Sequence, residues 1–381
     1  MSEGLIIIVI LVAFALAFDF TNGFHDTANA MATSIATKAL PPRVAVGISG
    51  ALNFIGCFLS LAVATTIAKG IVNTGQITVE AVFAGLIGAI TWNLLTWLLG
   101  LPSSSSHAII GGIVGAAIIT GGWSAVKYDG ILSKVLVPAV ASPIIAGAAA
   151  ALAVFLAGYI TARSRPEFMA RGYRIGQIVS ASLVSLAHGT NDGQKTMGII
   201  TLALIVNGNI AAKAGVPLWV IVTCAASIAL GTYIGGWRVI RTLGHRLTSI
   251  TSQQGFSAES VSSAVILGAA HFGFAVSTTQ VTSGSVMGSG LGKGVGLRWG
   301  VVGQMCLAWL ITIPVAAVFG GAATELAKAI GGLPGVIVTG LIAAAVFGVI
   351  YWAAQRQPVT ANNVNDPEPQ TEALAASAPT A

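Results

Sequence analysis

Apolar positions along this chain come in long runs. They show neither the alternation of a half-buried strand nor the narrow stripe of a surface helix. The runs cover roughly 5–22, 28–40, 44–68, 82–99, 105–120, 135–160, 178–188, 193–206, 216–237, 259–275, 279–291, 299–320 and 333–354. A helix needs about 20 apolar residues to cross the hydrocarbon of a bilayer, and several runs reach that length. The pattern predicts an all-α, polytopic membrane protein. The shorter runs cluster around polar motifs, as broken helices and helical hairpins would. After Arg356 the pattern stops, and "QPVTANNVNDPEPQTEALAASAPTA", with three acids and no Lys or Arg, reads as a disordered tail over 356–381.

Composition agrees with the pattern. The chain has 381 residues, 55% hydrophobic and 8% charged, with a mean hydropathy of +0.86. A soluble domain is about a quarter charged. The net charge of +6 does not imply nucleic acid, because it arises from short loops between apolar runs. There Lys and Arg set orientation, which puts "TARSRPEFMARGYR" (161–174) and "RVIRTLGHR" (238–246) in the cytoplasm. Lys38 and Arg43 then also face inward and the N-terminus outward. The first run, Leu5 to Phe18, lacks a basic flank and a clear cleavage site, and reads as a retained helix. Cys57, Cys224 and Cys306 stand alone in apolar segments and read as buried small hydrophobes.

Two pairs of polar motifs recur in the same order. "GFHDTANAM" places Asp26 and "GTNDGQKTM" places Asp192, 166 residues apart, with Gly23 and Met31 matching Gly189 and Met197. "SSSSHAIIGGIVG" (103–115) meets "VSTTQVTSGSVMG" (276–288) at an offset of 173, so Ser104, Ser105, Ser106 and His107 match Ser277, Thr278, Thr279 and Gln280. With the orientation above, the first copy enters from outside and the second from inside. That is an inverted repeat, a common transporter plan. The division follows: a first repeat over 1–160, a basic cytoplasmic loop over 161–177, a second repeat over 178–332, a last transmembrane helix over 333–355, then the tail.

Asp19, Asp26 and Asp192 read as the only carboxylates inside apolar segments. A charge at membrane depth is costly and usually marks an ion or substrate pathway. For Asp26 and Asp192, capping of a half-helix is the compatible local role; for Asp19, interhelical hydrogen bonding is an equal alternative. Asp26 and Asn29 share a helical face, which suits a small cation or a carried proton. Lys195 stands at the same spacing from Asp192 and would compete with a metal ion there. His25 precedes Asp26, and Asn191 precedes Asp192. Hydroxyls and freed N–H groups at a hairpin tip can donate to a tetrahedral oxyanion.

"NGFHDTANA", "LPSSSSH", "HGTNDGQKTMGIITLAL" and "VSTTQ" together resemble the inorganic phosphate transporter (Pit) family, in its bacterial low-affinity branch. The resemblance runs over nearly the whole chain apart from the tail. It implies a secondary active symporter in the cell membrane, not an enzyme, with two inverted repeats. It also implies a homodimer among lipid and no bound cofactor. By motif position, Ser104, Ser105, Ser106, Ser277, Thr278 and Thr279 match the hydroxyls near phosphate. Asp26, Asn29, Asp192 and Lys195 fall at the coupling-ion sites, with His25, Asn191, His107 and Gln280 in support. Sodium-coupled relatives carry Asn where this chain has His25 and Lys195, and animal members have Glu where it has Asn53. Those departures turn the expectation to proton coupling, with a divalent metal such as magnesium carried alongside phosphate as a neutral complex. Sodium coupling and sulfate are the alternatives within that class. A channel and an intramembrane serine hydrolase built on Ser105, His107 and Asp26 are remote ones. The second motif has Gln280 in place of the histidine, and no Gly-x-Ser-x-Gly elbow occurs.

Overall fold

The computed structural model describes residues 3–366, which are helical with no strand among the described residues. In chain order the helices are α1 (Glu3–Ala36), α2 (Pro42–Gly56), α3 (Ala62–Gly70), α4 (Val79–Leu98), α5 (Ser105–Gly121), α6 (Tyr128–Ile131), α7 (Val137–Thr161), α8 (Pro166–Val206), α9 (Leu218–Ile234), α10 (Trp237–Arg241), α11 (Ser252–His271), α12 (Thr278–Gly292), α13 (Trp299–Ile330) and α14 (Gly332–Gln355). Proline opens several of them: Pro42 and Pro166 lie in the first helical turn of α2 and α8, where a missing N–H costs nothing. Gly331, at φ +81°, separates α13 from α14 in a conformation that side chains disfavour. Among the described residues, five helical stretches are long and apolar enough to cross a membrane, or six if the bent pair Leu218–Ile234 and Trp237–Arg246 is one span.

Three groupings organise the chain. Helices α1 and α8 lie together at the centre, with α2 and α9 against both. Helices α4 and α5 form a hairpin against α13, and α11 and α12 form one that packs with α7. Glycine sets these distances. A Cβ on Gly111 would stand 2.5 Å from the Ile313 carbonyl, and one on Gly284 would stand 2.4 Å from the Pro143 carbonyl. Such small-residue seams replace hydrophobic driving force between helices in lipid. The same seams recur at the offset that relates the sequence motifs.

The expected hairpins are present. The expected breaks at the two aspartate motifs are not: α1 runs unbroken through Asp26 and α8 through Asp192, joining runs that the sequence separates. Glycine there serves close approach. A Cβ on Gly23 would lie 2.3 Å from the Ile228 carbonyl of α9, and one on Gly189 would lie 2.2 Å from the Asn53 carbonyl of α2. The sharp bend falls instead between α9 and α10, at 59°, where Gly235 takes φ +81°.

Three smaller expectations also change. Residues 357–366, assigned to the tail, lie against the basic segments. Arg238 Nη2 donates to the Ala354 and Gln357 carbonyls at 2.6 Å, Arg241 donates to the Asn363 carbonyl, and Val364 is fully buried. The rest of the expected tail, 367–381, is outside the described residues. Glu259 is a fourth buried carboxylate, bonded by Ser34 at 3.0 Å, by Ser180 at 2.6 Å and by Thr33. Its polar neighbours "SQQGFSAES" hide it in the sequence, yet α11 begins inside the bundle. Cys57 and Cys224 are buried, but Cys306 is exposed.

Candidate functional site

The helix starts that matter chemically sit at the hairpin tips. Ser104 precedes α5 and accepts from the His107 N–H at 3.2 Å; Ser277 precedes α12 and accepts from the Gln280 N–H at 3.2 Å. Each cap uses an acceptor lone pair and leaves the hydroxyl hydrogen available. The freed N–H groups expected at the aspartates are therefore supplied here, by two helix N-termini whose partial positive charge favours an anion.

Both tips converge on the aspartates. Ser105 donates to Asp26 Oδ2 at 2.7 Å, and Thr279 donates to Asp26 Oδ1 at 3.2 Å. Asn29, one turn along α1, donates to Thr278 at 3.3 Å and to Thr279 at 3.0 Å. Thr278 in turn donates to Asp192 Oδ2 at 3.3 Å. Lys195 Nζ lies 2.7 Å from Asp192 Oδ1 and also donates to the Ser106 hydroxyl, whose hydrogen goes to the Val276 carbonyl at 3.1 Å. Lys195, Asp192, Asp26 and the hydroxyl-bearing tips are all at most 1% exposed. A lysine so enclosed needs a full counter-charge, and Asp192 provides it.

His25 closes the first half of the site. Its Nδ1 is 2.9 Å from Asp26 Oδ1, and its Nε2 is 3.2 Å from Thr96 Oγ1, which bonds Ser103 at 2.7 Å. Asn191, its match in the second half, turns away and donates to the Phe274 carbonyl at 3.3 Å. His107 and Gln280 do not join the carboxylates. They line a cavity of about 400 Å³ on the flank of the tips, together with Pro143, Cys306 and Trp309.

Sequence reasoning missed His188. Its Nε2 is 3.5 Å from Asp192 Oδ2 and 3.9 Å from Asp26 Oδ2, bridging the two halves. Its Nδ1 is 2.9 Å from Asn53 Oδ1, and Asn53 donates to Thr232 at 2.9 Å. The signal was in the sequence: His188 lies four residues before Asp192, on the same helical face. One ligand atom from each of Asp26, His188 and Asp192 fits within 4.8 Å of the others, a spacing that can hold a metal ion.

Comparison with known proteins gives the family and the fold. The model of the Phosphate transporter family matches residues 22–320. A relative from Mycobacterium bovis, named "Probable low-affinity inorganic phosphate transporter", is 56% identical over 367 residues, covering 96% of this chain and 88% of the relative. One of the same name from Bacillus subtilis is 44% identical over 324 residues, covering 84% and 96%. A solved structure titled "The sodium-dependent phosphate transporter" superposes with a TM-score of 0.73, covering 85% of this chain and 100% of that one. At 23% identity it speaks to the fold alone. Two helical-hairpin tips facing a paired aspartate centre, with a family match across nearly all of that framework, make this chain a member of the phosphate transporter family.

Proposed function

We propose that this phosphate transporter is a proton-coupled symporter, and that phosphate binds among Ser105, Ser106, Thr278 and Thr279, between the two helix N-termini. One observation carries the reading. Four donors that could serve a tetrahedral anion are already turned onto a carboxylate or held by one: Ser105 and Thr279 on Asp26, Thr278 and Lys195 on Asp192. An entering phosphate competes for those donors. Once Ser105 or Lys195 turns to phosphate, the buried carboxylate left behind loses a donor or its counter-charge, an expensive change. A proton neutralises it. Phosphate and proton thus favour each other's binding, and that reciprocity is the thermodynamic content of symport.

Ser104 and Ser277 fix the tips and can add their hydroxyl hydrogens to phosphate. Asn29 orients Thr278 and Thr279. His25 holds Asp26, Asn191 holds the Phe274 carbonyl beside the second tip, and the Gln280 backbone N–H bonds the Ser277 cap. Asp26, His188 and Asp192 are the groups that a co-transported divalent cation would meet, and pairing phosphate with such a cation reduces the charge that must cross. Lys195 on Asp192 opposes a bare sodium ion at that carboxylate, which favours proton over sodium as the driving ion. The acceptors Asp26 and Asp192 also favour phosphate over sulfate, because only phosphate carries a proton to donate at neutral pH.

The test is uptake of labelled phosphate by purified protein in liposomes, with pH gradient, sodium and magnesium varied independently. Accumulation should follow the pH gradient, persist without sodium and rise with magnesium. Accumulation that requires sodium and ignores the pH gradient would overturn the coupling; strong inhibition by excess sulfate would overturn the substrate preference.

A further inference from the structure

Asp19 is unused by the site above, and its surroundings do not explain it as structure. It is fully buried, and neither carboxylate oxygen has a hydrogen-bond partner among the described residues. Asn22, one turn along α1, is also fully buried with both its amide atoms unpartnered. Thr196 of α8 faces Asp19, yet its hydroxyl completes no hydrogen bond of ordinary geometry. Three polar groups left unsatisfied at one buried point are uncommon in a folded protein.

Position gives the cluster a direction. Asp19 and Asp26 are seven residues apart, so they share a face of α1 and stand about 10 Å apart along it. Asn22 lies between them. Asp19 is toward the Glu3 end of α1, where Glu3 caps α14 by accepting from the Leu333 N–H at 2.7 Å. The basic residues lie at the other end: Arg43 reaches Asn362 and Arg241 reaches Asn363. By the positive-inside rule, Asp19 is on the outer side of the phosphate site.

We propose that Asp19, with Asn22 and Thr196, is a second proton-binding station of the symport, between the outer face and the phosphate site. The inference rests on the proton-coupled reading. Its chemistry accounts for the unsatisfied atoms. A protonated Asp19 donates to the Asn22 carbonyl oxygen and accepts from the Thr196 hydroxyl; an ionised one has only the Asn22 and Thr196 donors against a buried charge. The ionisable groups that face Asp19 are Asp192 and Lys195 from α8, Cys57 from α2 and Cys224 from α9. Lys195 is committed to Asp192 and Ser106, so a proton is the counter-charge left to Asp19. Lys195 also carries the link to the substrate: when it turns to phosphate, the charge distribution facing Asp19 changes with it.

The experiment is Asp19→Asn in the full chain, reconstituted in liposomes, with entry of labelled phosphate and internal acidification followed together. Wild type provides the control: if it carries no protons, the coupling reading fails, and this inference with it. If wild type is proton-driven, D19N should still exchange labelled for unlabelled phosphate at equal pH on both sides. Its protons carried per phosphate should fall by about one, or its pH-driven accumulation should be lost. D19E should restore both. An unchanged ratio in D19N, or loss of exchange in folded D19N, overturns the inference and leaves the coupling reading standing. If D19N does not fold, Thr196→Val serves instead. It should move the midpoint of the pH profile of uptake by about half a unit or more, and an unmoved midpoint overturns the proposal.

Discussion

The two halves of the site use the same scaffold and different chemistry. In the first, Asp26 is held by a serine, a threonine and His25, none of which bears a permanent charge. In the second, Asp192 is held by Thr278 and by the ammonium of Lys195. The second carboxylate is therefore compensated within the protein, whereas the first is available to a mobile cation or proton. A repeated framework need not repeat its charge. Under the proton-coupled proposal, the difference would make the first half the more open of the two to a mobile cation or proton.

That assignment breaks most easily at the acids. Asp26→Asn should lower pH-driven phosphate accumulation by about 100-fold or more, since a buried charged network lost at one member costs about 3–5 kcal/mol; the readout is initial uptake in liposomes. Lys195→Asn sharpens the comparison. It strands Asp192 as a buried unpaired charge, and thermal unfolding in detergent should show about 3–5 kcal/mol lost. The neutral pair D192N/K195N should recover most of that stability without recovering uptake. If K195N alone made uptake sodium-dependent, Lys195 would be the determinant of ion choice; uptake still sodium-free and pH-driven in K195N would remove it from that role.

The hydroxyls come next. Ser105→Ala removes a 2.7 Å bond to Asp26 and Thr278→Val removes a 3.3 Å bond to Asp192. Hydrogen bonds to charged groups contribute about 1.5–3 kcal/mol, so each change should raise the half-saturating phosphate concentration by about 10- to 100-fold, S105A more than T278V. Equal effects would say that the two tips meet phosphate alike whatever holds the carboxylates behind them.

Much of this was legible in the chain because membrane depth is an unforgiving filter. Asp26, Asp192, Lys195 and the serine and threonine clusters stand out against apolar runs, and all of them meet in the structure. The continuity of α1 and α8 was not legible. A glycine beside polar residues looks the same in sequence whether it breaks a helix or lets another backbone approach, and only the facing carbonyls of Ile228 and Asn53 decide. Half of the His188 signal was local, its spacing from Asp192; its contact with Asp26 across the halves has no local spacing to report it. Glu259 opens the run 259–275, and the polar residues just before it made that edge look solvated.

The glycine seams give a matched pair of stability tests. Gly23→Ala and Gly189→Ala each place a methyl within 2.3 Å of a carbonyl oxygen on a neighbouring helix, whereas Gly47 has nothing within 4 Å. Overpacking of this kind costs about 1–3 kcal/mol. Both seam variants should melt earlier than wild type, by similar amounts, and Gly47→Ala should not. Similar losses at α1–α9 and α8–α2 would support the two-repeat arrangement; a large asymmetry would count against it.

The smallest effect is expected where the halves differ without touching the carboxylates. His107 and Gln280 occupy matching positions and line the same flanking cavity, and the His107 Nε2 and Gln280 Oε1 atoms have no hydrogen-bond partner among the described residues. If the cavity side is permissive, His107→Gln makes the tips alike and changes uptake by no more than about twofold, because neither side chain holds a carboxylate or a phosphate donor. A loss of tenfold or more would mean that His107 reaches the phosphate site in some step of the cycle. The functional asymmetry between the halves would then lie at the tips as well as at the aspartates.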